Sequence, residues 1–151
     1  IPYPEIKENV VDVEFDEVWH FVKKNLKKYG SLRQWTEISK RVLFWVCGKR
    51  NVKTVRKLYE KFRHLEKCRF FTDNWRVFAK IIPQEKHFIG KEFTTFIEQN
   101  NSNTRNDVGR FTRRTKVVSQ SIDMIDRTMK LWVHLEYENN FRYYQDKFLS
   151  I

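Results

Sequence analysis

Three carboxylates in this chain, Asp16, Asp73 and Glu98, are of the type that metal-assisted phosphoryl transfer requires. Mg²⁺ prefers oxygen ligands and is typically held by one or two carboxylates together with water and substrate phosphates. Two such ions, roughly 4 Å apart, activate an attacking oxygen and stabilise the leaving oxygen. The three acids are therefore candidate ligands, although a single acid of this kind is more often a solvated surface carboxylate. The elements that carry them decide between these interpretations.

Asp16 lies in a segment whose pattern predicts a strand with one buried face. Val10–Val22 alternates mostly apolar positions with Asp12, Glu14 and Asp16. Acidic residues have low strand propensity, so several of them on one face favour a function there. Glu17 is expected to point to the opposite face and not to serve as a ligand.

Asp73 follows a short apolar segment, Lys67–Asn74, which is typical of a buried strand. In open α/β sheets the functional site lies outside the carboxyl ends of the strands, and Asp73 belongs at such an end. Glu98 falls early in a predicted helix that begins at Thr94 or Thr95 and runs to about Thr112. The polar run in that helix suits a metal site and a phosphate backbone better than a core.

The remaining segments predict a mixed sheet. Ile38–Cys47 is apolar on both faces and indicates a central, covered strand, with Val42 expected opposite Trp45. A lysine-rich connection, Lys23–Lys28, precedes a second strand that could begin at Gln34. The other predicted elements are a helix capped by Asn51, a short helix at Trp75–Ile82, a brief extended segment at Lys86–Gly90, and a last helix capped by Ser119 or Ser121 with the buried stripe Ile122, Ile125, Met129, Trp132 and Leu135.

Three hairpin-connected strands followed by helix crossovers predict an α/β fold with helices on both faces of the sheet. At 151 residues the chain is expected to be a single domain, 1–151, with a real aromatic core. It begins without an initiator Met, which indicates a processed chain or an excised fragment.

The net charge of +11 favours a polyanionic partner, most often nucleic acid. A membrane surface is the rival partner, but the sequence has no apolar run near eighteen residues. Cys47 and Cys68 are too few for a disulfide framework and suit a reducing, cytoplasmic environment. We see no signal peptide.

Three blocks around the acids resemble a known family. Phe15-Asp16-Glu17-Val18-Trp19, Thr72-Asp73-Asn74-Trp75 and Ile97-Glu98-Gln99-Asn100-Asn101, followed by Asn103 and Arg105, match in order the D-E-x-W, T-D-x-W and I-E-x-x-N-x-x-x-R blocks of transposases of the bacterial insertion sequence one family. The resemblance continues through Gly48-Lys49-Arg50, His87, Lys91 and Ser119–Ser121 to Asn140-Phe141. It covers nearly the whole chain.

The resemblance implies a ribonuclease H-like fold and a DDE-type catalytic domain, with Asp16, Asp73 and Glu98 as the metal-binding triad. It also implies Mg²⁺, replaceable by Mn²⁺ and bound as two ions, and DNA as substrate: the transposon ends and the target. Arg105 matches the family's basic residue seven positions after the catalytic Glu, and shares a helix face with Glu98. It would hold a phosphate near the ions.

Further DNA contacts are expected from other polar and basic side chains. They are Asn101, Lys49, Arg50, Lys53, Arg110, Arg113 and Arg114. The working complex needs two ends and hence at least a homodimer, in a prokaryotic cytoplasm and associated with the nucleoid.

Two departures from the family limit the assignment. Between Trp35 and Gly48 the chain is several residues shorter than family members. The zinc-binding and helix-turn-helix segments that precede the catalytic domain in this family are not found, so end-specific recognition is not assigned to these residues. The alternatives are a ribonuclease H-like nuclease or resolvase that cuts without joining, and an inactive DNA-binding domain.

Overall fold

A computed structural model gives the architecture of this protein. It describes residues 3, 6, 11–22, 27–36, 41–111 and 121–150, without the side chains of residues 18–22, 27–36, 41 and 110. The strands are β1 (Asp12–Val22), β2 (Lys27–Thr36), β3 (Arg41–Gly48), β4 (Arg69–Thr72) and β5 (His87–Ile89). The helices are α1 (Val52–Tyr59), α2 (Arg76–Ala79), α3 (Thr95–Asp107), α4 (Ile122–Leu135) and α5 (Glu138–Leu149), with short 3₁₀ turns at Gln84–Lys86, Lys91–Phe93 and Gly109–Phe111.

The five strands form one sheet in the order β3-β2-β1-β4-β5. β1, β2 and β3 pair antiparallel as a meander, whereas β4 pairs parallel to β1 and β5 parallel to β4. Three antiparallel strands followed by two parallel ones, with helices on both faces, are the ribonuclease H-like arrangement. The predicted fold class is therefore confirmed.

Each face of the sheet is covered by its own hydrophobic cluster. On one face α1 and α2 pack on the sheet through a cluster whose largest side chains are aromatic. On the other face α4 packs against β3. Asp126 of α4 accepts hydrogen bonds from the Trp45 indole and the Tyr3 hydroxyl, each at 2.9 Å, and so fastens the helix to the sheet edge.

A β-bulge in β3 determines which of its side chains pack into each of the two hydrophobic clusters. Leu43 is an extra residue between the positions that pair with Gln34 and Trp35. The extra residue reverses the alternation, so Val42 packs in the same cluster as Trp45. The predicted alternation, which put these two side chains on opposite faces, is wrong at this point.

Several predicted boundaries also change. β2 begins at Lys27, well before Gln34, and β3 lies at the edge of the described sheet although both of its faces are covered. The Asn51 cap is confirmed, because its side chain accepts from the Thr54 amide at 3.0 Å. Residues 23–26 and 37–40 lie outside the described residues.

The helical part differs in two ways. α3 ends at Asp107, before the predicted end near Thr112, and α4 is capped by Ser121, which accepts from the Met124 amide. α4 is followed by α5, which the sequence pattern did not predict. Within the described ranges, no helix combines the length and apolar character needed to cross a bilayer.

Candidate active site

Asp16 and Asp73 are brought together by the register of two parallel strands. The β1–β4 ladder runs from the pair Asp12↔Arg69 to the pair Phe15↔Thr72. Asp16 directly follows Phe15 and Asp73 directly follows Thr72, and neighbouring strands lie about 4.8 Å apart. The two acids therefore sit side by side where the ladder ends, at the carboxyl edge of β4.

Asp73 is fixed by the turn that follows its strand. One of its carboxylate oxygens, Oδ1, accepts a hydrogen bond of 3.1 Å from the backbone N–H of Trp75. Such a bond closes an Asx-type turn and holds the carboxylate close to the backbone. The Thr72 hydroxyl contacts Nε2 of His87 at 2.8 Å, which ties β4 to β5 next to the same turn.

Glu98 is positioned by the docking of α3 onto β1. The Glu14 carboxylate oxygen Oε2 accepts a hydrogen bond of 2.9 Å from the backbone N–H of Ile97, and both residues are buried. A carboxylate in the first turn of a helix also interacts favourably with the helix dipole. Glu14 thus holds the start of α3 against the strand that carries Asp16, next to the backbone of Glu98.

Asn101 forms the second link between α3 and β1. Its side-chain amide donates a hydrogen bond of 2.6 Å to Oδ2 of Asp16, and Asn101 is only 1% exposed. We predicted a phosphate contact for Asn101. The phosphate contact stays a prediction, and the hydrogen bond shows that the Asn101 amide holds the Asp16 carboxylate.

The electrostatics of the site follow from this crowding. The pKa of Asp16 is raised to about 6, chiefly by burial and to a smaller extent by the charges of Asp73 and Glu98, while the Asn101 hydrogen bond opposes the shift. Burial likewise raises the pKa of Glu17 to about 7, against the lowering effect of Arg50. Burial is the largest cause of both shifts.

The convergence of the three acids on bound metal ions stays a prediction. In the part of the chain that the structure describes, no set of three His, Cys, Asp or Glu side chains is arranged to hold one metal ion. Oε1 of Glu98 lies 3.5 Å from the hydroxyl of Thr94, at the start of its own helix. The donor chemistry still fits Mg²⁺, which needs only one or two carboxylates from the protein, and Asp16 and Asp73 supply two adjacent ones.

The predicted DNA-contacting residues fall into three groups. Arg105 lies in the last turn of α3, partly buried and seven residues beyond Glu98. Lys49, Arg50 and Lys53 are exposed around the connection from β3 to α1. Arg113 and Arg114, and the side chain of Arg110, lie outside the described residues.

Arg50 has a more specific environment than a solvated basic edge would give it. Its Nε donates to Oε1 of Glu17 at 3.0 Å, and its guanidinium lies 4.5 Å from the centroid of the Trp75 ring. Trp75 is the residue whose backbone N–H binds Asp73. Arg50 therefore stabilises the turn that carries Asp73, through its contact with Trp75. Glu17, as expected, takes a different partner from Asp16.

Sequence reasoning missed the role of Glu14. Its place on the acidic face was visible, but its partner amide is 83 positions away, in a helix whose docking the pattern did not specify. The sequence pointed to Glu14 only through the alternation of Asp12, Glu14 and Asp16 along β1.

Comparisons with known proteins show which family the chain is similar to. Residues 9–139 match the family model described as IS1 transposase. The Insertion element iso-IS1n protein InsB of Shigella dysenteriae is 27% identical over 120 residues, covering 80% of this chain and 92% of that protein. The Insertion element IS1 protein InsB of Shigella flexneri is 24% identical over 128 residues, covering 85% and 98% respectively.

One solved structure is also similar, the "CryoEM structure of simian T-cell lymphotropic virus intasome in complex with PP2A regulatory subunit B56 gamma". Its matching chain is 15% identical with a TM-score of 0.48, and the alignment covers 87% of this chain but 51% of that one. The assignment rests instead on the family match, which includes all three acids and both strands that pair beside Asp16. The chain belongs to the IS1 transposase family.

Proposed function

We propose that this protein is the catalytic core of a DDE transposase, which cleaves DNA at the ends of an insertion sequence and transfers the freed ends to target DNA. The observation that carries the proposal is the placement of Asp16 beside Asp73 at the end of the β1–β4 ladder, with α3 docked across the same face. A site at the carboxyl end of a strand, with two carboxylates and a third on a docked helix, suits phosphoryl transfer.

Asp16 and Asp73 would hold the divalent ions, and Glu98 would join them from α3. Bound ions of this kind neutralise charge on the phosphate and lower the pKa of an attacking water or 3′-hydroxyl. The protein's own contribution is positioning. Asn101 keeps the Asp16 carboxylate in one orientation, and Glu14 keeps the start of α3 against β1.

Arg105 is the proposed phosphate-binding residue on α3. Arginine binds a phosphate through two parallel N–H donors, which fixes orientation as well as charge. An aligned phosphate is essential, because phosphoryl transfer is catalysed mainly by positioning and electrostatic stabilisation. Arg105→Ala is expected to slow cleavage while leaving metal binding intact.

The basic surface supplies DNA affinity in this proposal. Lys49 and Lys53 are exposed near the site, and Arg50 borders the Asp73 turn. Contacts to phosphates position the protein but carry no sequence information. Cleavage and binding should therefore be separable by mutation.

The decisive experiment uses Asp73→Asn, which removes one carboxylate charge with little change in shape. We expect cleavage of a labelled end duplex in Mg²⁺ to be lost and duplex binding to remain. Asp107→Asn, an exposed acid at the end of α3, is the matched control and should cleave normally. Wild-type cleavage by Asp73→Asn would refute the assignment.

The same assay distinguishes the alternatives if a target plasmid is included. Joined products are expected from the wild type in the presence of Mg²⁺. Cleavage without joining would identify a nuclease or resolvase. Binding with neither activity would identify an inactive DNA-binding domain.

A further inference from the structure

The C-terminal helix α5 is almost entirely exposed and carries an apolar stripe. None of its residues is buried. It contacts α4, where the Tyr144 ring packs against the ring of His134. Phe141, Tyr144 and Phe148 recur at helical spacing on one side of α5 and are 53%, 37% and 76% exposed. Exposed aromatic side chains in a continuous patch typically mark an interaction surface.

A helix of this kind is not expected to be stable alone. Isolated helices shorter than about 12–15 residues are marginal in water, and most helical stability in proteins comes from packing an apolar face. α5 has 12 residues and contacts α4 through Asn140 and the Tyr144 ring, while Phe141 and Phe148 of the stripe stay more than half exposed. A partner on the stripe would supply the missing burial.

The charge of this region argues against DNA as that partner. Residues 121–150 carry five acidic and four basic side chains, whereas the whole chain has 19 acidic and 30 basic. The basic excess therefore lies entirely outside α4 and α5. Since affinity for nucleic acid depends on Lys and Arg neutralising phosphates, the helical pair is the part of the chain least suited to DNA.

The same distribution favours a second copy of this chain. Two copies of a protein with a net charge of +11 repel each other wherever their basic surfaces meet. On α5 the charges cancel, because Glu138 and Asp146 balance Arg142 and Lys147, and Glu138 is paired with Arg142 within the helix. α5 is thus an apolar surface through which two copies can approach without repulsion.

We propose that two copies of this chain associate through the aromatic stripe of α5. The match to the family model ends at residue 139, so nearly all of α5 lies beyond it. The association is isologous, with the stripe of one copy against the same stripe of the other. An antiparallel pairing of the two helices also places the positive end of each helix dipole beside the negative end of its partner.

The first test measures oligomeric state without DNA or metal. Sedimentation velocity of the whole chain, from about 1 to 100 µM, is expected to show a concentration-dependent dimer, because a patch of this size gives modest affinity. Phe148→Glu should weaken dimerisation by at least about tenfold, the loss expected for an aromatic residue that contributes strongly to an interface. Ile89→Glu, at an exposed apolar residue on β5, is the matched control and should dimerise as the wild type does.

The second test locates the contact even if Phe148→Glu folds poorly. Gln145→Cys lies beside the middle of the stripe and should form a disulfide between copies under mild oxidation. Asn139→Cys lies on the other side of α5 and should not, and the wild type controls for Cys47 and Cys68.

Three results would overturn the proposal. They are a monomer throughout the concentration range, an unchanged dimer in folded Phe148→Glu, and equal cross-linking at positions 139 and 145. Loss of duplex binding by Phe148→Glu without a change in oligomeric state would assign the stripe to DNA instead. All of these measurements are independent of the cleavage assay, so their failure would leave the proposed catalytic function untouched.

Discussion

The side chain of Asn101 on α3 donates a 2.6 Å hydrogen bond to the carboxylate of Asp16 on β1. The bond joins residues 85 positions apart and connects the helix that carries Glu98 to the strand that carries Asp16. Together with the contact of Glu14, this bond fixes how α3 sits on β1. The interface between this helix and this strand therefore determines where Asp16 and Glu98 lie relative to each other.

Replacing Asn101 with Leu tests that link. The substitution keeps the side-chain volume but leaves the buried Asp16 oxygen without its donor, which costs about 1–3 kcal/mol of folding free energy. The pKa of Asp16 should rise further, since the hydrogen bond lowers it. Chemical denaturation measures the free energy, and NMR titration measures the pKa. Ser102→Ala, exposed on the same helix, is the control, and equal stability of the two variants would contradict the prediction.

Glu14→Ala should loosen the start of α3. Loss of a helix-capping acceptor costs about 0.5–2 kcal/mol, and hydrogen exchange at the Ile97 amide should accelerate. Glu14→Gln retains an acceptor oxygen and is expected to be intermediate. Glu66→Ala, an exposed acid elsewhere, should change neither quantity. Unchanged exchange at Ile97 in Glu14→Ala would show that the contact does not hold the helix.

Stability without metal should fall as the pH rises through the range from about 4 to 7. Burial raises the pKa of Asp16 to about 6 and that of Glu17 to about 7. A carboxyl with a higher pKa in the folded protein binds its proton more tightly there, so its stabilising effect is complete below the unfolded-state pKa and is lost above the folded-state pKa. Melting curves in chelator should therefore show a smaller pH dependence for Asp16→Asn and Glu17→Gln than for the wild type. If the variants and the wild type show the same pH dependence, the raised pKa values of Asp16 and Glu17 are wrong.

Mg²⁺ should stabilise the folded protein if Asp16 and Asp73 bind it. A ligand at ten times its Kd that binds only the folded state adds about 1.4 kcal/mol. The melting temperature in millimolar Mg²⁺ should exceed that in chelator for the wild type but not for Asp16→Asn. The same melting curve in both conditions would count heavily against a metal site.

DNA binding by these residues should be strongly salt-dependent and weakly sequence-dependent. Each lost phosphate contact reduces the slope of log K against log salt by about 0.9. Lys49→Ala with Lys53→Ala should lower affinity for end and scrambled duplexes alike, whereas Lys147→Ala on α5 should not. A protein that recognises a DNA sequence typically binds it about 10³-fold or more tightly than it binds non-specific DNA. A preference of that size for one terminal sequence would place end recognition within these residues.

The sequence predicted those parts of the fold that short-range patterns determine. Alternation around Asp16 gave the buried face of β1, where Val13 and Phe15 are fully buried. The Asn51 cap and the periodicity after it gave α1. The short apolar segment before Asp73, followed by turn residues, predicted the position of Asp73 at the end of β4.

What could not be predicted depends on long-range contacts. The bulge at Leu43 changes the alternation by one residue, and its cause lies in the pairing with β2. α5 lacks a buried stripe, so the usual sign of a helix, periodic burial, does not apply to it. The partners of Glu14 and Asn101 follow only from the docking of α3 on β1.

The docking of α3 also has a consequence for synthesis of the chain on the ribosome. All five described strands end by Ile89, and α3 begins only at Thr95. During synthesis β1, β2 and β3 leave the ribosome before α3 does, so Asp16 and Glu14 stay open to water until that helix follows. The helix that closes over them emerges afterwards, so a truncated translation product has the scaffold without a complete acid cluster. Premature termination before residue 98 would therefore leave a fragment that lacks Glu98 and the helix that contacts Asp16.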